Sequence, residues 1–283
     1  MEYITKDEII IFAPKFKTQL DPNLLLNYKK IIFSNYKLCN DLFEAYVNNN
    51  FDFDNSCYNY SRFNLPVNNL PPTLTHLTFG VSFNQSLNLL PPTLTHLSLG
   101  SNFNQPVNSL PSNLTHLSFG YKFNYPVNLL PSTITHLTFG RSFNQPINLL
   151  PSTISHLTFG WNFNQQYDLS SNVKYLKLNC NNSYLIDNLP NGVEELSLGY
   201  NFNSELNNLP NGVKKIIFDK LSKYDKELNS LPNFLECLEL PTKYNKKILN
   251  IPPKLKKIKC SQNYKFVDDF TETNIDVEFI NDY

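Results

Sequence analysis

Apolar and polar positions alternate in short bursts along this chain, and the bursts return on a fixed schedule. In LTHLTF, residues 74 to 79, Leu77 and Phe79 fall on one side of an extended backbone and His76 and Thr78 on the other, because successive side chains of a strand point to opposite faces. The leucine after the histidine marks the register. Leu77, Leu97, Leu117, Leu137 and Leu157 are twenty apart, and the series continues through Leu176, Leu196, Ile216, Leu238 and Ile258 at intervals of 19, 20, 20, 22 and 20. Cys57 stands one period before Leu77, with Phe63-Asn64 and Leu70-Pro71 following in phase, and reads as a worn first member. Such a period predicts a solenoid of the leucine-rich-repeat kind.

The rest of each coil carries proline at two points, such as Pro106 and Pro111, and shows no helical periodicity. This predicts an extended or polyproline-like return, with Phe103, Val107 and Leu110 as its inward groups. One coil cannot bury these alone; its neighbours complete the core. The fold class expected is an all-β-rich repeat solenoid with a parallel sheet on the concave side and extended returns on the convex side.

A solenoid's end strands need covers. Residues 1–56 are expected to form an N-terminal cap, 57–260 the repeats and 261–283 a capping tail. Within the cap, Tyr28 to Phe33 (YKKIIF) echoes Val213 to Phe218 (VKKIIF) as a first strand, and Leu38 to Val47 reads as a short amphipathic helix. Ile275 to Phe279 supplies a closing strand.

F-N-Q-P-V at Phe103 to Val107 and F-N-Q-P-I at Phe143 to Ile147 closely resemble the signature of the FNIP repeat, an Asn- and Phe-rich relative of leucine-rich repeats. The resemblance covers residues 63–165 strongly and 173–260 more weakly. It implies a repeat scaffold without assigned activity, of the kind found in social amoebae and in giant viruses of amoebae. Many members carry an F-box ahead of the repeats, which implies substrate-adaptor work in ubiquitin transfer. Residues 1–50 lack the Leu-Pro opening and the hydrophobic spacing of that module.

Three recurring residues need an account. Asn64, Asn84, Asn104, Asn124, Asn144, Asn164, Asn203 and Asn245 follow the aromatic of each turn and suit a stacked column of amides; Asp225 takes that place in the longer coil and is expected to interrupt it. All eight glycines belong to repeats, leaving none for a phosphate-cradling loop. Pro241 holds the strand-closing place in one coil, so close packing explains those glycines better than a positive φ does. The five histidines, His76, His96, His116, His136 and His156, all occupy outward strand positions about 5 Å from their neighbours. A neutral structural ladder with depressed pKa values, a recognition face, and metal capture by adjacent rings are the competing readings. No carboxylate or cysteine completes a ligand set for the last, so neither metal nor cofactor is expected.

Charge divides the chain. Between Asn64 and Tyr167 the only charged residues are Lys122 and Arg141, whereas later strands carry Lys174-Tyr175, Glu194-Glu195, Lys214-Lys215, Glu236-Cys237 and Lys256-Lys257. Alternating sign predicts cross-strand ion pairs and argues against a nucleic-acid partner. Lys+Arg and Asp+Glu balance at 24 each, so no global field draws the chain to an anionic membrane. Five cysteines without C-x-x-C spacing and only a four-residue apolar run near the start favour reduced thiols and a cytoplasmic location (the host's, for a viral chain).

Catalysis needs a distinguished base or a carboxylate pair, and each histidine has four siblings. The function expected is a non-catalytic protein-interaction scaffold. Its partner-binding candidates are His76, His96, His116, His136 and His156 with Thr78, Ser98, Ser118, Thr138 and Thr158 beside them. The variable turn residues Val81, Ser101, Tyr121, Arg141 and Trp161 offer a second place for specificity. A carbohydrate-binding module is the alternative, because the same neutral face suits sugars.

Overall fold

The computed structural model describes residues 2–36, 60–271 and 273–280; the expected helix over 38–47, Cys39 and Cys57 lie outside them. The chain divides into two compact units, residues 1–143 with 149–151, and residues 144–148 with 152–283. Both are built from LRR-like solenoid coils.

In the first unit, strands β1 (Tyr3–Lys6), β2 (Ile9–Phe12) and β3 (Lys30–Phe33) precede four three-residue strands. These are β4 (His76–Thr78), β5 (His96–Ser98), β6 (His116–Ser118) and β7 (His136–Thr138), and a one-turn helix α1 (Pro22–Leu25) lies before β3. β1 is antiparallel to β2. From β2 onward every pairing is parallel and in one register, Ile10 to Ile31 to Leu77 to Leu97 to Leu117 to Leu137.

The strand expected near Tyr28 to Phe33 is present, but two strands come before it. β3 pairs directly with β4, so Ile31, not Cys57, holds the ladder place before Leu77. The sequence hides β2 because it is apolar on both faces, and β1 because it is short and mostly exposed. Ile11 and Ile32 occupy the outward side, yet they are fully buried, with Ile4, Ile9 and Tyr36 packed against them.

The core repeats as columns. Phe63, Phe83, Phe103, Phe123 and Phe143 stack with centroids 6.0–6.2 Å apart. Phe79, Phe119 and Phe139 at the strand ends lie 3.6–3.8 Å from the turn phenylalanine of their own coil. Pairs of this kind add about 0.5–1.5 kcal/mol beyond area burial. Leu110 is only half-buried. Instead Leu114, whose N–H donates to the Pro111 carbonyl at 3.1 Å, turns fully inward.

The strand-closing glycines have no positive φ. A Cβ on Gly100 would collide with the carbonyl of Gly80, and one on Gly120 with that of Gly100. Close packing of one turn on the next is the reason for glycine here.

The second unit contains β8 (His156–Phe159), β9 (Tyr175–Leu178), β10 (Glu195–Leu198), β11 (Lys215–Phe218), β12 (Cys237–Glu239), β13 (Lys257–Ser261) and β14 (Asp276–Ile280). All pair in parallel, from Leu157 through Leu176, Leu196, Ile216, Leu238 and Ile258 to Val277. The expected strand of the tail is therefore the last rung. Two short helices, α2 (Ser183–Asp187) and α3 (Asp268–Thr271), depart from the extended returns. Asn182 caps α2 by accepting the Leu185 N–H at 3.3 Å, and the helix buries Leu185 and Ile186.

The aromatic column of this unit turns to tyrosine, with Tyr224, Tyr244 and Tyr264 stacking 6.2 Å apart. Tyr244 and Tyr264 donate their hydroxyls to the carbonyls of Lys226 (3.2 Å) and Lys246 (2.8 Å). The Tyr224 hydroxyl is buried with no hydrogen-bond partner among the described residues. Of the cysteines, Cys180, Cys237 and Cys260 are free thiols, and burial pushes Cys180 up to about 12. Among the described residues no helix is long and apolar enough to cross a membrane.

Candidate functional site: the outward strand face

In the first unit, ladder register sets His76, His96, His116 and His136 directly above one another. Their rings stack with centroids 4.0 Å apart and planes within 13–15° of parallel. Thr78, Ser98, Ser118 and Thr138 form the next outward column in the same register. At the head of the histidine column the partner of His76 is Lys30 of β3. Together these side chains line an open groove of about 490 Å³ whose floor includes Leu77, Leu97 and Leu117.

The residue before each histidine anchors its ring. Thr75, Thr95, Thr115 and Thr135 place Oγ1 2.8–2.9 Å from Nδ1 of the next residue and 3.1–3.3 Å from the carbonyl oxygen of the preceding rung. A hydroxyl has one proton. If it were donated to Nδ1, lone pairs of two oxygens would face each other. Donated to the carbonyl, it leaves Oγ1 to accept Nδ1–H. With the hydroxyl proton on the carbonyl, the ring takes the Nδ1–H tautomer and Nε2 carries the lone pair.

Burial and neighbours disfavour charge on His76, His96 and His136. His96 is lowered to about 4 by burial, then by the charge that His76, Lys30 and His136 would set against it. His76 is lowered by burial, Lys30 and His116, and His136 by burial. Lys30 is half-buried and its pKa is also lowered by burial. Its ammonium has no ion-pair or hydrogen-bond partner among the described residues. Sequence reasoning missed Lys30 as a groove residue; the signal was its place in YKKIIF, which matches the outward Lys215 of VKKIIF.

Of the ten candidate residues, eight come together in this groove. His156 and Thr158 stand on the outward face of the second unit. His156 is held by Ser155 at 2.9 Å like its siblings, but its ring stacks on Tyr175 at 4.1 Å, and Thr158 pairs in register with Lys177.

Beyond Tyr175 the outward face is a charge lattice. Glu194 bonds Lys214 at 2.9 Å and faces Lys174 at 3.6 Å, Lys256 meets Glu236 at 2.6 Å, and Lys215 meets Glu195 at 3.6 Å. The hydrogen bond and charge of Lys214 hold Glu194 below the usual carboxylate range. A further acid–base column, Glu239, Lys259 and Glu278, was not read from the sequence. On the rim, Arg141 lies over the Tyr121 ring at 5.4 Å in the first unit; in the second, Trp161 stacks on Tyr200 at 6.4 Å, with Lys223 over the same ring at 5.6 Å.

The groove lining holds no carboxylate to pair with a histidine for acid–base work. Parallel rings also hold their Nε2 lone pairs parallel, so these do not converge on a shared ion. Among the described residues no group of three or more His, Cys, Asp or Glu is placed to hold a metal.

The turn asparagines complete the frame. Asn64, Asn84 and Asn104 each accept, through Oδ1, the backbone N–H of the asparagine twenty residues on, at 2.8–3.0 Å. The column runs from amide oxygen to backbone N–H, and the Gln85 and Gln105 side-chain amides add bonds to the same oxygens of Asn64 and Asn84 at 3.2 and 3.3 Å. At Asp225 the backbone N–H still donates to Asn203 Oδ1, at 3.1 Å.

Phe103 in the core and Asn104 in the ladder are the first two letters of the F-N-Q-P-V motif. Segments 63–102, 87–122, 103–142, 124–160, 163–201 and 181–221 match the family model described as FNIP Repeat, over more than half of the chain. The chain belongs to the FNIP repeat family. This FNIP protein is also similar to a solved structure of a giant-virus protein, CroV588, described as a novel circular LRR protein structure. The likeness has a TM-score of 0.73 and 29% identity over 93% of this chain, which spans 42% of the CroV588 chain. No curated protein matches.

Proposed function

We propose that this FNIP protein is a non-catalytic protein-interaction scaffold of the cytoplasm, and that the histidine and hydroxyl columns of its first unit are the contact surface. One observation carries the reading: four histidines share one stacking geometry, one spacing and one kind of anchor, so none is set apart for chemistry. A surface that repeats a polar, uncharged pattern suits contacts spread over several rungs. The carbohydrate reading draws on the same columns. It is less well supported, because stacked imidazoles offer their edges to a ligand and keep their faces for each other. Adaptor work in ubiquitin transfer rests on family resemblance alone.

The test is affinity capture from the native cell with the wild-type chain beside a variant carrying His96→Asn, His116→Asn, Ser98→Ala and Ser118→Ala. Partners lost by the folded variant support the outward face. Partners retained in full move the contact surface elsewhere, to the Trp161 and Tyr200 rim first.

A further inference from the structure

The groove of the first unit has a polarity its histidines do not explain. Lys30 holds an ammonium half-buried at one end, without a partner among the described residues. A charge placed so and left unpaired is costly. The lining contains no carboxylate, and its other polar groups are imidazoles and hydroxyls. Its volume lies within the range of small-ligand sites.

We propose that this groove binds an acidic, extended segment of a partner protein, with one carboxylate on the Lys30 ammonium and others along the hydroxyl and imidazole columns. The inference rests on the outward face being the contact surface and adds the chemistry of the partner. Charge complementarity selects the occupant: the groove presents one unpaired cation and no anion.

The threonine anchors make the histidines suitable for this. Nδ1–H donates to Oγ1 in the neutral ring, and it does so equally in the imidazolium. A ring can therefore gain a proton at Nε2 without turning, and Nε2–H⁺ then donates to an incoming carboxylate. In the empty groove, charging is opposed by burial, by Lys30 and by the neighbouring rings. A bound carboxylate reverses the balance at the rung it touches. Rings 4.0 Å apart repel once charged, so alternate rungs are expected to take protons. The groups facing the column from adjoining elements do not supply that counter-charge. Ile9 and Ile11 follow on β2, Lys122 and Arg141 lie in the turns after β6 and β7, and Glu8 is tied to Lys29 at 2.7 Å.

The test is calorimetric titration of the full chain with acetyl-hexaglutamate amide at pH 6.5, in two buffers of different ionisation enthalpy. Saturable binding with net proton uptake is expected. Lys30→Gln and the stem-preserving Lys30→Met should each weaken it about tenfold or more, equivalent to about 1.4 kcal/mol, with circular dichroism unchanged. His96→Asn with His136→Asn should lower the proton uptake. Absence of saturable binding, equal binding of hexalysine, cellohexaose or a hexathymidylate, or unchanged affinity in both Lys30 variants would overturn the inference. Were the outward-face variant to lose its cellular partners while hexaglutamate failed to bind, the scaffold reading would stand and the acidic partner would not. If hexaglutamate bound through Lys30 while that variant kept its partners, the scaffold reading would fall alone.

Discussion

The rings of His96 and His116 lie 4.0 Å apart and within 13° of parallel, a distance neutral imidazoles tolerate and a pair of charged ones does not. Stability should follow pH accordingly. The unfolded chain protonates His96 near 6.5, whereas the folded chain does so near 4. Between those values the unfolded state binds more protons, so this contribution is complete above pH 6.5 and is lost as pH falls toward 4. Urea midpoints should drop from pH 7 to pH 5, and less so in His96→Asn. A midpoint that rises on acidification would contradict the neutral column.

Tyr224 and Tyr264 occupy equivalent places with opposite hydrogen-bond outcomes. Tyr264→Phe removes a bond to the Lys246 carbonyl and should cost about 1 kcal/mol, while Tyr224→Phe removes an unpaired buried hydroxyl and should be neutral or stabilise by a similar amount. Equal losses in both, by chemical denaturation, would show that Tyr224 has found a partner.

Gly100 has no room for a methyl group beneath the Gly80 carbonyl. Gly100→Ala should destabilise by about 1–3 kcal/mol through overpacking. Its φ is not positive, so backbone strain adds nothing. A thermal shift below one degree would mean that neighbouring turns can separate freely.

Glu194 bridges two lysines, each at the residue just before its strand. Exposed ion pairs contribute little and are screened by salt. Glu194→Gln should therefore lower stability modestly in dilute buffer, with the gap to wild type closing at high ionic strength. A gap that persists in molar salt would point to a packing role.

Much of this was legible because one period governs both core and surface. Leu77 to Ile258 announced the rungs, and the sign changes from Lys174 to Lys257 announced the ion pairs. What escaped had local or two-sided causes. β2 carries isoleucine on both faces, so no alternation betrays it, and β1 (YITK) is short and mostly exposed. The α2 helix depends on a single cap, Asn182, inside a coil otherwise like its neighbours. Lys30 meets His76 only because β3 pairs across a long intervening segment. The asparagine column is legible, but that its amide oxygens take backbone N–H groups as well as side-chain amides is not, because composition cannot distinguish the donors.

The tautomer shared by the four stacked histidines underlies both the neutral ladder and the acid-binding groove. Long-range ¹H–¹⁵N correlation spectra of the imidazoles at pH 7 read it directly. His76, His96, His116 and His136 should each show a protonated Nδ1 and a bare Nε2, and Thr115→Val should release His116 from that pattern. Spectra showing Nε2–H tautomers, or imidazolium in the free protein at that pH, would contradict the account.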